Sequence, residues 1–212
     1  MRSFLETGLK FDWKITTITV VSTLLLLVDS NMKITSNWID GIWWKYADRT
    51  LLYLVIPLMI VIFIFRQNPR DYGFTLGDWR AGLMITGGSI LLLGLVLFFL
   101  VRGDGALKEY YQTGINGLPW NTFVDLFGWE FLFRGWILFG YIGKFGPDAL
   151  WLQAVPFALA HIGKPAVETF TTIFGGFLFG WVAYRTKSFL YPFLIHWFIA
   201  SFVIVVAVGL VP

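Results

Sequence analysis

Long apolar segments recur along the chain from Ile15 to its carboxyl-terminal end, with no long polar stretch between them. A helix needs about 20 mostly apolar residues to cross the hydrocarbon core of a bilayer, and somewhat fewer when it is packed among neighbours. The pattern therefore predicts an all-α fold: a polytopic membrane helix bundle with about seven transmembrane segments. The predicted segments are Ile15–Val28, Thr50–Phe65, Gly82–Val101, Asn121–Ile142, Ala149–Ile162, Thr169–Tyr184 and Phe189–Leu210.

The composition excludes an ordinary soluble domain, because 57% of the residues are hydrophobic and only 14% are charged. Soluble domains have roughly 45–50% and about 25% of these classes. We predict a single membrane domain over residues 1–212, with a motif-bearing core at about 121–208. The absence of cysteine removes disulfides, thiolate metal sites and a cysteine nucleophile from consideration.

The basic residues lie singly in the loops, which predicts no nucleic-acid partner and leaves the lipid bilayer as the expected surroundings. The loops on the amino-terminal side of the predicted bundle hold more lysines and arginines than the opposite loops. The positive-inside rule then predicts a cytoplasmic N-terminus. The amino-terminal segment does not resemble a cleavable signal peptide. We expect a multi-pass protein of a prokaryotic inner (cytoplasmic) membrane.

Charged residues inside the fourth segment are the first candidates for function. Glu130 and Arg134 are four residues apart, so they share a helix face. A charge in a membrane segment costs roughly 2.5–3.5 kcal/mol on insertion scales, and such residues are often functional. Alternatively, the pair only neutralises itself and holds two helices together.

The two histidines of the chain both fall in or at apolar segments. His161 closes the fifth segment and His196 lies inside the seventh. With Glu130 they predict a polar centre in the membrane. A glutamate and two imidazoles suit either a general base that activates water or a metal held by two histidines and a carboxylate, and the residues alone leave both open.

The connection after His161 brings a lysine and a second acid near that histidine, in the run His161-Ile-Gly-Lys164-Pro-Ala-Val-Glu168. Glu168 either faces the same centre or is solvated at the membrane interface. Lys164 is better explained by interfacial solvation.

Three motifs in this order resemble those of the CPBP family of intramembrane proteases. This family includes the type II CAAX prenyl endopeptidases and the bacterial Abi proteins of bacteriocin processing and immunity. The family pattern Glu-Glu-x-x-x-Arg resembles the run 129–134, Phe-x-x-x-His is matched by the run 157–161, and His-x-x-x-Asn/Asp is matched in part by the run 196–200.

The chain departs from the family pattern at two positions. Trp129 stands where the family has the first glutamate, which generally activates water, and Ala200 stands where an Asn or Asp helps to hold the oxyanion. One residue turns a helix by about 100°, so Glu130 does not simply replace the missing glutamate. The resemblance nevertheless implies a glutamic, metal-independent intramembrane peptidase.

The resemblance implies the following roles. Glu130, alone or with Glu168, deprotonates a water molecule polarised by His161. His196 donates a hydrogen bond to the developing oxyanion, and Arg134 fixes Glu130. The expected substrate is a membrane-anchored peptide or protein, and no cofactor is expected.

Two alternatives remain. A catalytically silent membrane scaffold or immunity protein would bind a membrane peptide in the same place, and Trp129 and Ala200 favour it. A zinc-dependent intramembrane protease would use the same histidines, although the chain has no His-Glu-x-x-His signature.

Overall fold

The computed structural model describes residues 10–41, 43–112 and 114–211, which form helices and no strand. All seven predicted segments are helical, and the all-α class is confirmed. The helices are α1 Trp13–Asn31, α2 Trp43–Ile64, α3 Trp79–Gly103, α4 Gly105–Tyr111, α5 over residues 120–145, α6 Ala149–Leu159, α7 Ala166–Thr186 and α8 Leu190–Ala207.

Five helices of the described residues are long and apolar enough to cross a membrane: α1, α2, α3, α7 and α8. The other two predicted segments correspond to α5, which carries the charged pair, and to α6. With 11 residues, α6 rises about 16 Å, roughly half of a hydrocarbon core. Helix α5, which holds Glu130 and Arg134, and helix α6, which leads to His161, are thus the least typical membrane spans of the bundle.

Aspartate side chains cap the starts of three helices. Asp12 accepts from the Ile15 N–H at 3.2 Å, Asp78 from the Ala81 N–H at 3.1 Å, and Asp104 from the Ala106 N–H at 2.9 Å. Such caps satisfy backbone donors that have no partner within the helix. Asp104 starts α4, a short helix between the third and fourth predicted segments that the hydropathy pattern did not indicate.

Helix α5 lies in the interior of the bundle. Its middle part, Phe131–Ile137, is a π-helix in which every residue is buried. Helix α5 contacts α2 and α8, α3 packs along α8, and α6 packs along α7. Gly176 allows the close approach of α7 to α6, because a Cβ there would press on Ala154 and Phe157. This packing encloses the predicted polar centre.

Side-chain contacts define the two ends of the bundle. Asp12 faces Lys144 and Asp78 pairs with Arg185 at the end where α1 begins. The opposite end, here called the far end, is formed by the described residues 32–41, 104–112, 114–119 and 160–165. The predicted cytoplasmic N-terminus falls in residues 1–9, outside the described residues.

Candidate active site

Glu130 and Arg134 form a buried ion pair at the start of the π-helical part of α5. The Arg134 guanidinium donates to Glu130 Oε1 at 3.1 Å, and both side chains are fully buried. Short π-helical stretches within α-helices occur frequently at functional sites. The pairing expected from the four-residue spacing is present.

The guanidinium of Arg134 is held by aromatic rings as well as by the carboxylate. It lies 3.9 Å from the ring centre of Phe157 in α6 and 5.2 Å from that of Phe179 in α7. Aromatic faces attract cations, most strongly where water is excluded. A long hydrogen bond of 3.4 Å to the Gly176 carbonyl adds a polar contact. Arg134 therefore joins α5, α6 and α7 around Glu130.

His196 reaches Glu130 from α8. Its Nδ1 lies 2.6 Å from Glu130 Oε1, the same oxygen that accepts from Arg134. When Nδ1 carries the hydrogen, it donates to the carboxylate, which fixes the orientation of the ring. The second oxygen, Oε2, is buried without a hydrogen-bond partner among the described residues.

His161 lies in the turn that follows α6 and is 5% exposed. Its Nδ1 is 2.7 Å from the Phe157 carbonyl oxygen. Since a carbonyl only accepts, Nδ1 carries the hydrogen, and a neutral His161 has its lone pair on Nε2. The Phe157 ring packs against both histidines, with ring centres 4.6 Å from His161 and 5.9 Å from His196.

Both histidines line a cavity of about 550 Å³ whose other walls come mainly from α3, α7 and α8. The size is typical of a ligand pocket. Glu168 and Ala200 also line it, whereas Glu130 and Arg134 do not. The structure therefore brings His161, His196 and Glu168 to one cavity and places Glu130 behind His196.

Glu168 has both carboxylate oxygens engaged. Oε1 accepts from Lys164 at 2.6 Å and Oε2 from the Tyr111 hydroxyl at 2.6 Å, and Lys164 also donates to that hydroxyl at 3.1 Å. Burial, and then the Glu168 charge, raise the pKa of Tyr111, so the hydroxyl stays protonated near neutral pH. Lys164 is thus paired with Glu168 rather than only solvated. The sequence pattern gave no signal for Tyr111.

The two positions that depart from the family pattern differ in character. Trp129 is 6% exposed and packs against Tyr53, Phe133 and His161, and its indole N–H has no hydrogen-bond partner among the described residues. Ala200 presents only a methyl group to the cavity. At these two positions apolar side chains, Trp129 and Ala200, stand where the family pattern has a glutamate and an Asn or Asp.

The donors present do not form an evident metal site. Among the described residues, no group of three or more His, Asp or Glu side chains converges closely enough to hold a metal ion. His196 Nδ1 faces Glu130, and His161 Nδ1 faces a backbone carbonyl. A tetrahedral zinc site with three protein ligands would require a rearrangement of these side chains.

Residues 112–202, somewhat less than half of the chain, match the family model described as type II CAAX prenyl endopeptidase Rce1-like. This match confirms the resemblance predicted from the three motifs. It covers Glu130, Arg134, His161, Glu168 and His196. No curated protein and no solved structure matches the chain. The membrane-protease family and the five apolar helices together identify an integral membrane protein.

Proposed function

We propose that the protein is an intramembrane endopeptidase that hydrolyses a peptide bond of a membrane-associated protein or peptide. The observation that carries the proposal is the cavity within the helix bundle that His161 and His196 both line, with a buried carboxylate fixing His196. Titratable side chains that converge on one cavity are candidates for acid–base catalysis. The match to a protease family supports the same reading.

In this proposal His161 is the general base. Its Nδ1–H is held by the Phe157 carbonyl, so Nε2 is the nitrogen that can take a proton from water. The hydrogen bond fixes both the tautomer and the orientation of the ring. The earlier expectation gave this proton transfer to Glu130, which is fully buried and outside the cavity wall. A water molecule in the cavity would contact the histidines, which line it, and not Glu130.

His196 holds the oxyanion. Glu130 accepts its Nδ1–H at 2.6 Å and stabilises the imidazolium, leaving Nε2–H to donate to the oxygen that gains charge. Arg134 donates to the same carboxylate oxygen and holds Glu130 in place. Glu130 thereby acts on the reaction through His196.

The proposed hydrolysis needs only water and the peptide as reactants. The water oxygen bonds to the peptide carbonyl carbon, its proton passes to His161 Nε2, and the carbonyl electron pair moves to the oxygen held by His196. When the intermediate collapses, the C–N bond breaks and the leaving nitrogen takes the proton from His161. Glu168, with Lys164 and Tyr111, supports the wall of the cavity beside the reacting groups.

Cleavage of a library of membrane-anchored peptides by the reconstituted full chain tests this proposal. We expect wild-type cleavage to be indifferent to a chelator, and H161A to lower the rate by about 10²–10⁴-fold, the usual contribution of a general base. H196A should cost about 10²–10³-fold, as for the loss of one oxyanion donor. Loss of cleavage on chelation, with recovery on adding zinc, would instead establish the zinc protease.

A silent scaffold or immunity protein is the second candidate function. Ala200 gives the cavity no polar group at that point of the wall, and the Trp129 indole fills the position of the family's first glutamate. A wild-type protein that binds a membrane peptide without cleaving it, together with H161A and H196A variants that bind the peptide equally well, would replace the protease by this candidate.

A further inference from the structure

A second cavity, of about 470 Å³, lies on the other side of Trp129 from His161. Its walls come from α1, the start of α2, Trp129 of α5, and the end of α6. No wall residue is shared with the cavity that holds the two histidines. The proposed protease mechanism uses none of its polar groups.

The cavity is polar towards the far end of the bundle and apolar below it. Asp29, Ser30 and Lys45 lie where α1 ends and α2 begins, whereas Leu27 and Leu159 are exposed apolar side chains on the flanking helices. Thr23 and Ser30, both in the wall, are separated by about 10 Å of helix rise. An occupant that matches this wall has a polar end at the membrane interface and an apolar end in the hydrocarbon.

A buried hydroxyl in the wall lacks a partner. Tyr53 is fully buried and lines the cavity, but among the described residues its hydroxyl has no hydrogen-bond partner. Leaving such a group unsatisfied usually costs about 1–3 kcal/mol. A ligand carbonyl in the cavity would remove that cost.

Of the two basic side chains in the cavity wall, Arg49 is in an ion pair and Lys45 is in none with another described residue. Arg49 is held by two carboxylates, with Nε 3.2 Å from Asp29 and NH1 2.9 Å from Asp125. No ion pair among the described residues includes Lys45, which is exposed at the rim. Lysines at membrane interfaces attract lipid phosphate groups.

We propose that this cavity binds a glycerophospholipid. The phosphate lies against Lys45, an ester carbonyl accepts from the Tyr53 hydroxyl, and an acyl chain follows Leu27 and Leu159 into the bilayer. Phosphate is the chemistry that Lys45 recognises, and the apolar groove below it selects a lipid over a free ion.

Photocrosslinking tests this proposal. The full chain is reconstituted in vesicles of phosphatidylethanolamine and phosphatidylglycerol that contain a trace of each phospholipid with a diazirine in its acyl chain, and the adducts are mapped by mass spectrometry. We expect adducts within residues 23–30 and 156–160. K45Q should reduce their yield about fivefold, the ratio equivalent to about 1 kcal/mol for one interfacial lysine.

Two further variants make the experiment decisive. K108Q, a matched control, removes an exposed lysine of the same end that lines neither cavity and should leave the yield unchanged. Y53F should reduce the yield, because it removes the hydroxyl that donates to the ester carbonyl. Equal adduct yields in wild type, K45Q and Y53F would overturn the proposal, as would displacement of the lipid by excess inorganic phosphate.

Discussion

At the scale of single residues, one oxygen of Glu130 holds the candidate site together. Oε1 accepts from Arg134 in the same helix and contacts His196 from α8. The first contact could be predicted from the sequence, because a four-residue spacing fixes neighbours on a helix. The second could not, because it depends on how α8 packs against α5. For the same reason, the sequence could not show that Glu130 lies behind the cavity wall.

The buried pair yields a prediction on stability. R134M leaves the Glu130 carboxylate fully buried with only His196 beside it, and breaking a buried pair in this way costs roughly 3–5 kcal/mol of unfolding free energy. The E130Q/R134M double variant should recover part of that loss, since no charge is left uncompensated. Denaturant unfolding in mixed micelles measures both.

R185M is the matched control for this prediction. Arg185 pairs with Asp78 at the surface, where both side chains are more than two-fifths exposed, and the loss of such an exposed pair changes the stability little. Equal losses in R134M and R185M would show that the buried pair does not organise the bundle.

At the scale of helices, the sequence placed every long segment but missed where the fifth one ends and that a short helix follows the third. Hydropathy extended the fifth segment to Ile162, whereas α6 ends at Leu159 and a turn presents His161. Helix α4 is short, and Asp104 before it was the local signal that could have revealed it. Hydropathy contains no information on helix caps, so it could not predict the end of α6 or the short helix α4.

The start of α3 gives a prediction on pH. The Arg185 guanidinium, and then the Ala81 N–H, hold the pKa of Asp78 below its ordinary value. Because the folded pKa is depressed, the stabilisation is present above the unfolded pKa of about 3.9 and is lost as the pH falls through the folded pKa. D78N should therefore melt below wild type at pH 7, and the gap should close in acid. Thermal unfolding of both proteins between neutral pH and about pH 3 measures the gap, and a constant gap would contradict the assignment.

At the scale of the whole molecule, the all-α membrane bundle followed from the sequence because apolar length alone predicts it. The cavity did not. Its walls are largely leucines and other apolar side chains of α3 and α7, which the sequence presents only as lipid-compatible residues. Which of them face a cavity is decided by tertiary packing.

The orientation of the bundle in the membrane is still a prediction and can be measured directly. The chain has no cysteine, so single cysteines report without background. With a cytoplasmic N-terminus, a membrane-impermeant maleimide added to intact cells should label N37C, in the far-end connection, and should label R70C only after lysis. The reverse pattern would invert the predicted topology.

The role of the buried carboxylate is tested by comparing wild type with E130Q in the reconstituted cleavage assay, with E109Q as the matched control. Glu109 is exposed on α4 and does not line the cavity. We expect E109Q to cleave like wild type, whereas E130Q should lose about 10²–10³-fold in kcat/KM because the ring of His196 loses the carboxylate that orients it towards the oxyanion. Full cleavage by a folded E130Q would contradict the account and remove the buried carboxylate from the reaction.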